Sequence, residues 1–241
     1  MITILNRALD LLAFENYISG FDFGSFSPNR LVIHHTWRPT AAQWKGETSL
    51  LGLKSYYERK GWRAGPHLFI ADDGIWLFTP MNQQGVHAGT LNPRSIGIEV
   101  VGDYNDQPWS GVTKLLALGA IKLLMNRLKL SESQLYFHRD VSPKTCPGTA
   151  ITKDWLFEAL RRFELPISQS SVLQEHDENL HADPKADFPD GTFDPQVAIS
   201  VPDWAKEAVA FVTKAKLFQI QSKEDLRDAV KFYRFYRLLH P

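Results

Sequence analysis

The chain of 241 residues contains one cysteine, Cys146, so an internal disulfide framework is excluded. It has no surplus of either charge: 27 Lys and Arg stand against 27 Asp and Glu. An electrostatic footprint for nucleic acid or an acidic membrane surface is therefore missing. No apolar run approaches the length of a membrane span. The opening stretch, MITILNRALDLLAFENYISG, carries Asp10 and Glu15 where a secretory signal needs an unbroken apolar segment. It also lacks a basic first segment, so no classical signal peptide is expected and synthesis in the cytoplasm is. Internal repeats and low-complexity tracts are absent too. What is present is a composition 44% hydrophobic, ordinary for a globular chain with a core.

The pattern along the chain mixes strands and helices as far as residue 165. Residues 1–30 read as a short helix and a Gly/Ser/Phe-rich lead-in. RLVIHHT is a β-rich run, expected as a central strand. ETSLLGLKSYYERKG places Leu50, Leu53 and Tyr57 at helical spacing and stops at Gly61. PHLFIADDGIWLFTP predicts a hairpin turning at Asp-Asp-Gly. RSIGIEVVG alternates, with Ile96, Ile98 and Val100 on one side and Gly97, Glu99 and Val101 on the other. SGVTKLLALGAIKLLMNRLKL is apolar around most of its circumference, which predicts a largely buried helix. SQLYFH is a last short strand, and ITKDWLFEALRRF a closing amphipathic helix.

After Pro166 the texture changes. Residues 166–200 are polar and rich in Ser, Asp and Pro, as expected of a linker. Within them DPKADFPDGTFD lacks the alternate ligand spacing and closing glutamate of a calcium-binding hand. Residues 201–241 predict two helices, a small module that buries little surface by itself.

YFHRDVSPKTCPG raises the question of chemistry. Cys146 and His138 are a buried thiol beside a surface histidine, a thiol–imidazole nucleophile pair, or two zinc ligands. The third reading requires another ligand, and the strand offers His34 and His35. Three protein ligands leave a tetrahedral position open, the mark of a catalytic rather than a structural zinc site. Neighbouring strand residues point to opposite faces, so His34 and His35 cannot both reach one ion from a regular strand. Alternation does not choose between them, because both faces of the strand carry apolar residues.

LVIHHTW, GPHLFIADDG, GVHAG, SIGIEVVGDY and HRDVSPKTCPG occur in that order. Together they resemble the zinc-dependent N-acetylmuramoyl-L-alanine amidases, the superfamily that includes phage endolysins, muropeptide amidases and peptidoglycan recognition proteins. The resemblance covers roughly residues 30–160. It implies an α/β fold with a mixed central β-sheet flanked by helices, here followed by a small C-terminal helical module. With the pattern of the remaining segments, the chain is expected to divide into a lead-in (1–30), a zinc amidase domain (31–165), a linker (166–200) and a helical module (201–241). That module faintly resembles a surface-layer repeat that binds cell-wall polymers, and a helical pair packed on the catalytic domain is the equal alternative.

Carried over by position, the resemblance makes His34, His138 and Cys146 the Zn2+ ligands and leaves His35 packed or hydrogen-bonded. Lys144 would face the metal and stabilise an oxyanion, and Glu99 would stand beside the attacking water as general base. His67 and His87 match positions lining the cleft and are assigned to substrate binding or to support of the ligands. One departure is Pro66, where some phage members carry a catalytic tyrosine; this shifts weight onto Glu99. The implied reaction is hydrolysis of the amide between N-acetylmuramic acid and L-alanine, with peptidoglycan or muropeptides as partners and a monomer favoured. The implied setting is the cell wall after release, with cytoplasmic recycling as the other. Two rival functions remain: a recognition module that binds peptidoglycan without cleaving it, and a cysteine hydrolase using Cys146 and His138.

Overall fold

In the computed structural model, residues 2–163 and Leu165 are described; the expected linker and C-terminal module lie outside the described residues. Six strands form one sheet: β1 (Arg7–Leu9), β2 (Arg30–His35), β3 (Leu68–Ala71), β4 (Gly74–Leu77), β5 (Ser95–Val100) and β6 (Leu135–Phe137). Their spatial order is β1-β4-β3-β5-β2-β6. The pairs β3–β5, β5–β2 and β2–β6 are parallel, whereas β1–β4 and β4–β3 are antiparallel. Four helices accompany the sheet: α1 (Leu11–Ser19), α2 (Glu47–Arg59), α3 (Gly111–Leu128) and α4 (Lys153–Arg162). The expected mixed sheet flanked by helices is therefore the observed architecture.

Local sequence accounts for most of these elements. β2 has a parallel neighbour on each side, and its residues from Leu31 to His35 are all buried. That explains a run apolar on both faces. The two-residue Asp72–Asp73 loop joins β3 to β4, and the Asp73 carboxylate accepts from the indoles of Trp44 and Trp76, each at 2.9 Å. The Asp10 side chain caps α1 by accepting from the Ala13 amide, and Thr152 caps α4 by accepting from that of Trp155. α2 lays Leu50 and Tyr57 onto Phe69, Ala71 and Phe78. α3, with nine buried residues, packs against α1, β3 and β4.

The segment before residue 30, expected as a lead-in, contributes the expected helix and also an edge strand that the sequence did not suggest. β1 pairs Arg7 with Leu77 and Leu9 with Ile75; three residues are too few for alternation to register as a pattern. α1 settles close on α3 because Gly119 has no side chain: a Cβ there would lie 2.6 Å from Leu11 Cδ1. Among the described residues, no helix is long and apolar enough to cross a membrane.

Candidate metal and catalytic site

Parallel strands all point the same way, so β2, β5 and β6 bring their carboxyl ends to one edge of the sheet, where open α/β sheets bind ligands. His34 lies near the end of β2, in register with Glu99 on β5. On its other side Ile33 pairs with Phe137, so the chain leaving β6 delivers His138 beside His34. The loop that follows returns Cys146 to the same place. His34 Nδ1 is 3.1 Å from His138 Nδ1 and 3.7 Å from Cys146 Sγ. One ligating atom from each residue falls within 4.8 Å of the others, close enough to hold one metal ion.

The loop carrying Cys146 is clamped by a residue that the sequence did not single out. Arg139 donates from its amide to the Cys146 carbonyl at 3.0 Å. Its guanidinium donates to the carbonyls of Thr145 at 3.0 Å and Gly148 at 2.9 Å, and also to that of Ile151. An arginine fork spent on backbone carbonyls sets the position of a turn that has little secondary structure of its own. Its only sequence cue is adjacency to His138. Gly148, at φ +109°, lies against the Tyr104 backbone, which leaves no room for a Cβ.

His34 also has a partner behind it. Its Nε2 is 3.0 Å from His87 Nδ1, and His87 Nε2 is 3.3 Å from the Ser95 hydroxyl. The tautomer in which His87 accepts puts the His34 proton on Nε2 and leaves the Nδ1 lone pair facing His138 and Cys146. Two glycines make room for the His87 ring. A Cβ on Gly97 would lie 2.6 Å from it, and one on Gly85 would lie 3.0 Å away. His67, fully buried, accepts from the Gly97 amide at Nδ1 and donates from Nε2 to the Gln83 carbonyl, both at 2.9 Å. Both of its ring nitrogens are thereby committed to backbone. His35 turns elsewhere: its amide donates to Cys146 Sγ at 3.4 Å, and its Nδ1 accepts from the Tyr104 amide.

Burial sets the protonation of this cluster. It holds the His34 imidazole well below the usual range, and the neighbouring His87, His138 and Lys144 act in the same direction. His138 falls to about 4, through burial first and the Lys144 charge second. Burial pushes the Glu99 carboxyl up to about 8, partly offset by the positive charge of Lys144. Glu99 Oε1 is 4.0 Å from His34 Nδ1, but the imidazole is held neutral and this is no ion pair. Glu99 Oε2 is buried with no hydrogen-bond partner. Burial, with the Glu99 charge behind it, also raises the Cys146 thiol far above its ordinary range.

The three candidate ligands and Glu99 thus come together, His87 touches His34, and His67 supports the strand beneath. Lys144 is exposed and lines, with these groups, a cavity of about 460 Å³. Pro66, at the departure noted in the sequence, is buried in the cavity wall.

The fold is an α/β arrangement with a mixed sheet, and at its carboxyl edge it gathers two imidazoles, a thiol and a buried carboxyl, donors that could hold a metal ion. Residues 25–149, just over half of the chain, match the family model described as N-acetylmuramoyl-L-alanine amidase. The chain is 36% identical over 130 residues to peptidoglycan-recognition protein SC1a of Drosophila melanogaster, covering 50% of this chain and 68% of that one. It is 28% identical over 109 residues to the endolysin of Klebsiella phage KP32, covering 43% and 72% of the two chains. Among solved structures, the amidase LysC from Clostridium intestinale URNW aligns with a TM-score of 0.49 at 26% identity, over 57% of this chain and 89% of that one. The chain belongs to the N-acetylmuramoyl-L-alanine amidase family.

Proposed function

We propose that the protein is a zinc-dependent amidase that cleaves the bond between the lactyl group of N-acetylmuramic acid and L-alanine in peptidoglycan, acting as a cell-wall lytic enzyme. The observation that carries this reading is the convergence of His34, His138 and Cys146 beside the unpartnered carboxyl oxygen of Glu99. The donor set fits zinc. Bonds of about 2.0–2.1 Å to nitrogen and 2.3 Å to sulfur at tetrahedral angles separate two nitrogens by about 3.3 Å, and nitrogen from sulfur by about 3.6 Å. The separations here are 3.1 and 3.7 Å.

A zinc ion in this site supplies Lewis-acid polarisation of the scissile carbonyl and lowers the pKa of a water to about 7. The chain's own groups do the rest. Glu99, buried beside the three donors with one oxygen free of a partner, takes the proton of the attacking water and returns one to the departing amine. Lys144 stabilises the negative charge that develops on the carbonyl oxygen. His87 orients His34, the Ser95 hydroxyl steadies His87, and the His35 amide hydrogen-bonds the Cys146 sulfur. For His67, the commitment of both ring nitrogens to backbone favours support over contact with substrate.

Mass spectrometry of muropeptides after digestion, with metal content measured on the same sample, tests the proposal. A new free amine on alanine, lost in chelator and restored by zinc, is expected. Binding to peptidoglycan with no product would assign recognition instead, and new reducing sugars would point to a glycosidase.

A further inference from the structure

Trp37 does not behave as a packing residue. It is the most exposed large hydrophobic side chain among the described residues, at 56%. Its backbone nevertheless sits at φ +55°, a conformation that costs a bulky L-residue of order 1–3 kcal/mol. Such strain persists only where the surroundings enforce it. Here they do: the Trp37 amide donates to the Gly102 carbonyl at 2.9 Å, and the Gly102 amide donates to the Thr36 hydroxyl at 2.9 Å. The Trp37 carbonyl accepts from Arg38 Nη1 at 2.7 Å. The same guanidinium lies over the indole, 5.0 Å from the ring centre, and is 3.6 Å from the Asp103 carboxylate. The ring is thus fixed on a pinned backbone three residues beyond His34, at the edge of the cavity that holds Glu99, Lys144 and Cys146.

We infer that Trp37 is a stacking platform for a pyranose ring of the glycan strand, a sugar subsite flanking the scissile amide. The inference rests on the amidase reading for the position of that amide. A hexopyranose presents an apolar C–H face that matches an exposed indole, and a two-torsion aromatic side chain loses little entropy when it is covered. A peptide stem would satisfy an exposed indole less well, because its amides would lose water without gaining partners on the ring.

The test uses the full-length zinc-loaded chain and two soluble ligands. One is the disaccharide dipeptide N-acetylglucosaminyl-N-acetylmuramoyl-L-alanyl-D-isoglutamine; the other is the same dipeptide carrying only a D-lactoyl group. Binding is measured by calorimetry, and KM and kcat where cleavage occurs. Trp37→Gly should weaken the disaccharide ligand roughly threefold to tenfold, as expected for loss of one aromatic contact. It should erase the preference of the wild type for the disaccharide over the lactoyl ligand, while Trp37→Phe keeps part of it. Because glycine accepts φ +55° without strain, Trp37→Gly should also melt no lower than wild type. A structural tryptophan would give the opposite, a lower melting temperature with ligand preference intact, and that result overturns the inference. So does equal weakening of both ligands, or a wild type that binds the two alike. Binding is read apart from turnover, so a wild type that prefers the disaccharide yet cleaves neither ligand would sink the amidase reading and leave the sugar subsite standing.

Discussion

Replacing Gly97 by alanine probes the His34–His87 pair without touching either residue. A Cβ at Gly97 would lie 2.6 Å from Cγ and Cδ2 of His87 and 2.7 Å from Nδ1, the atom that faces His34. Ordinary van der Waals contact begins near 3.4 Å, so the ring must retreat by about 0.8 Å. Gly85 and Ser95 hem the ring on other sides, and the 3.0 Å bond to His34 is the contact that gives way. Loss of such a partner behind a metal ligand typically costs 10- to 100-fold in affinity, or about 1.4–2.7 kcal/mol. Zinc affinity, measured by competition with a chelator of known strength, should fall by that factor in Gly97→Ala. His87→Ala should fall comparably, and the double variant no further than His87→Ala alone, because the added methyl then meets empty space. Additive losses in the double variant, or unchanged affinity in both single variants, would refute the reasoning.

Lys144→Ala should lower kcat by two to three orders of magnitude, about 3–4 kcal/mol of barrier, with zinc content unchanged; equal turnover removes the oxyanion role. Cys146→Ala should lose both bound metal and activity, read by metal analysis and muropeptide release. A pH dependence follows from His67, whose pKa burial lowers from 6.5 to about 4. Between those values the unfolded chain takes up a proton that the folded chain refuses. Stability is therefore full above pH 6.5 and falls as pH drops toward 4, by roughly 3 kcal/mol for this residue. Urea midpoints in chelator from pH 7 to 4 should show a shallower acid limb for His67→Asn than for wild type, and parallel limbs would contradict the assignment.

Much of the fold was legible because it is local. The alternation in RSIGIEVVG marks a strand, and the two-sided run in RLVIHHT and the all-round apolar helix at α3 announce their burial. β1 was not legible, since three residues carry no period and only the exposed edge of β4 gave them a place. The site divides in the same way. HRDVSPKTCPG and the strand histidines named the chemistry, but alternation along β2 could not say which histidine turns toward Cys146.

By itself, then, the sequence determined the elements, the donor types and the family they resemble, since these depend on composition and short-range spacing. Only the tertiary structure decided which groups meet. The register of β2 with β5 and β6 sets His34 between Glu99 and His138. Arg139 gathers four carbonyls from the loop around Cys146, and two glycines open the space in which His87 reaches His34. The physical reason is range. Propensity and pattern act over a few residues, whereas the ligand cluster and the bonded histidine pair join His34 to residues 53 to 112 positions away, and only packing brings them together.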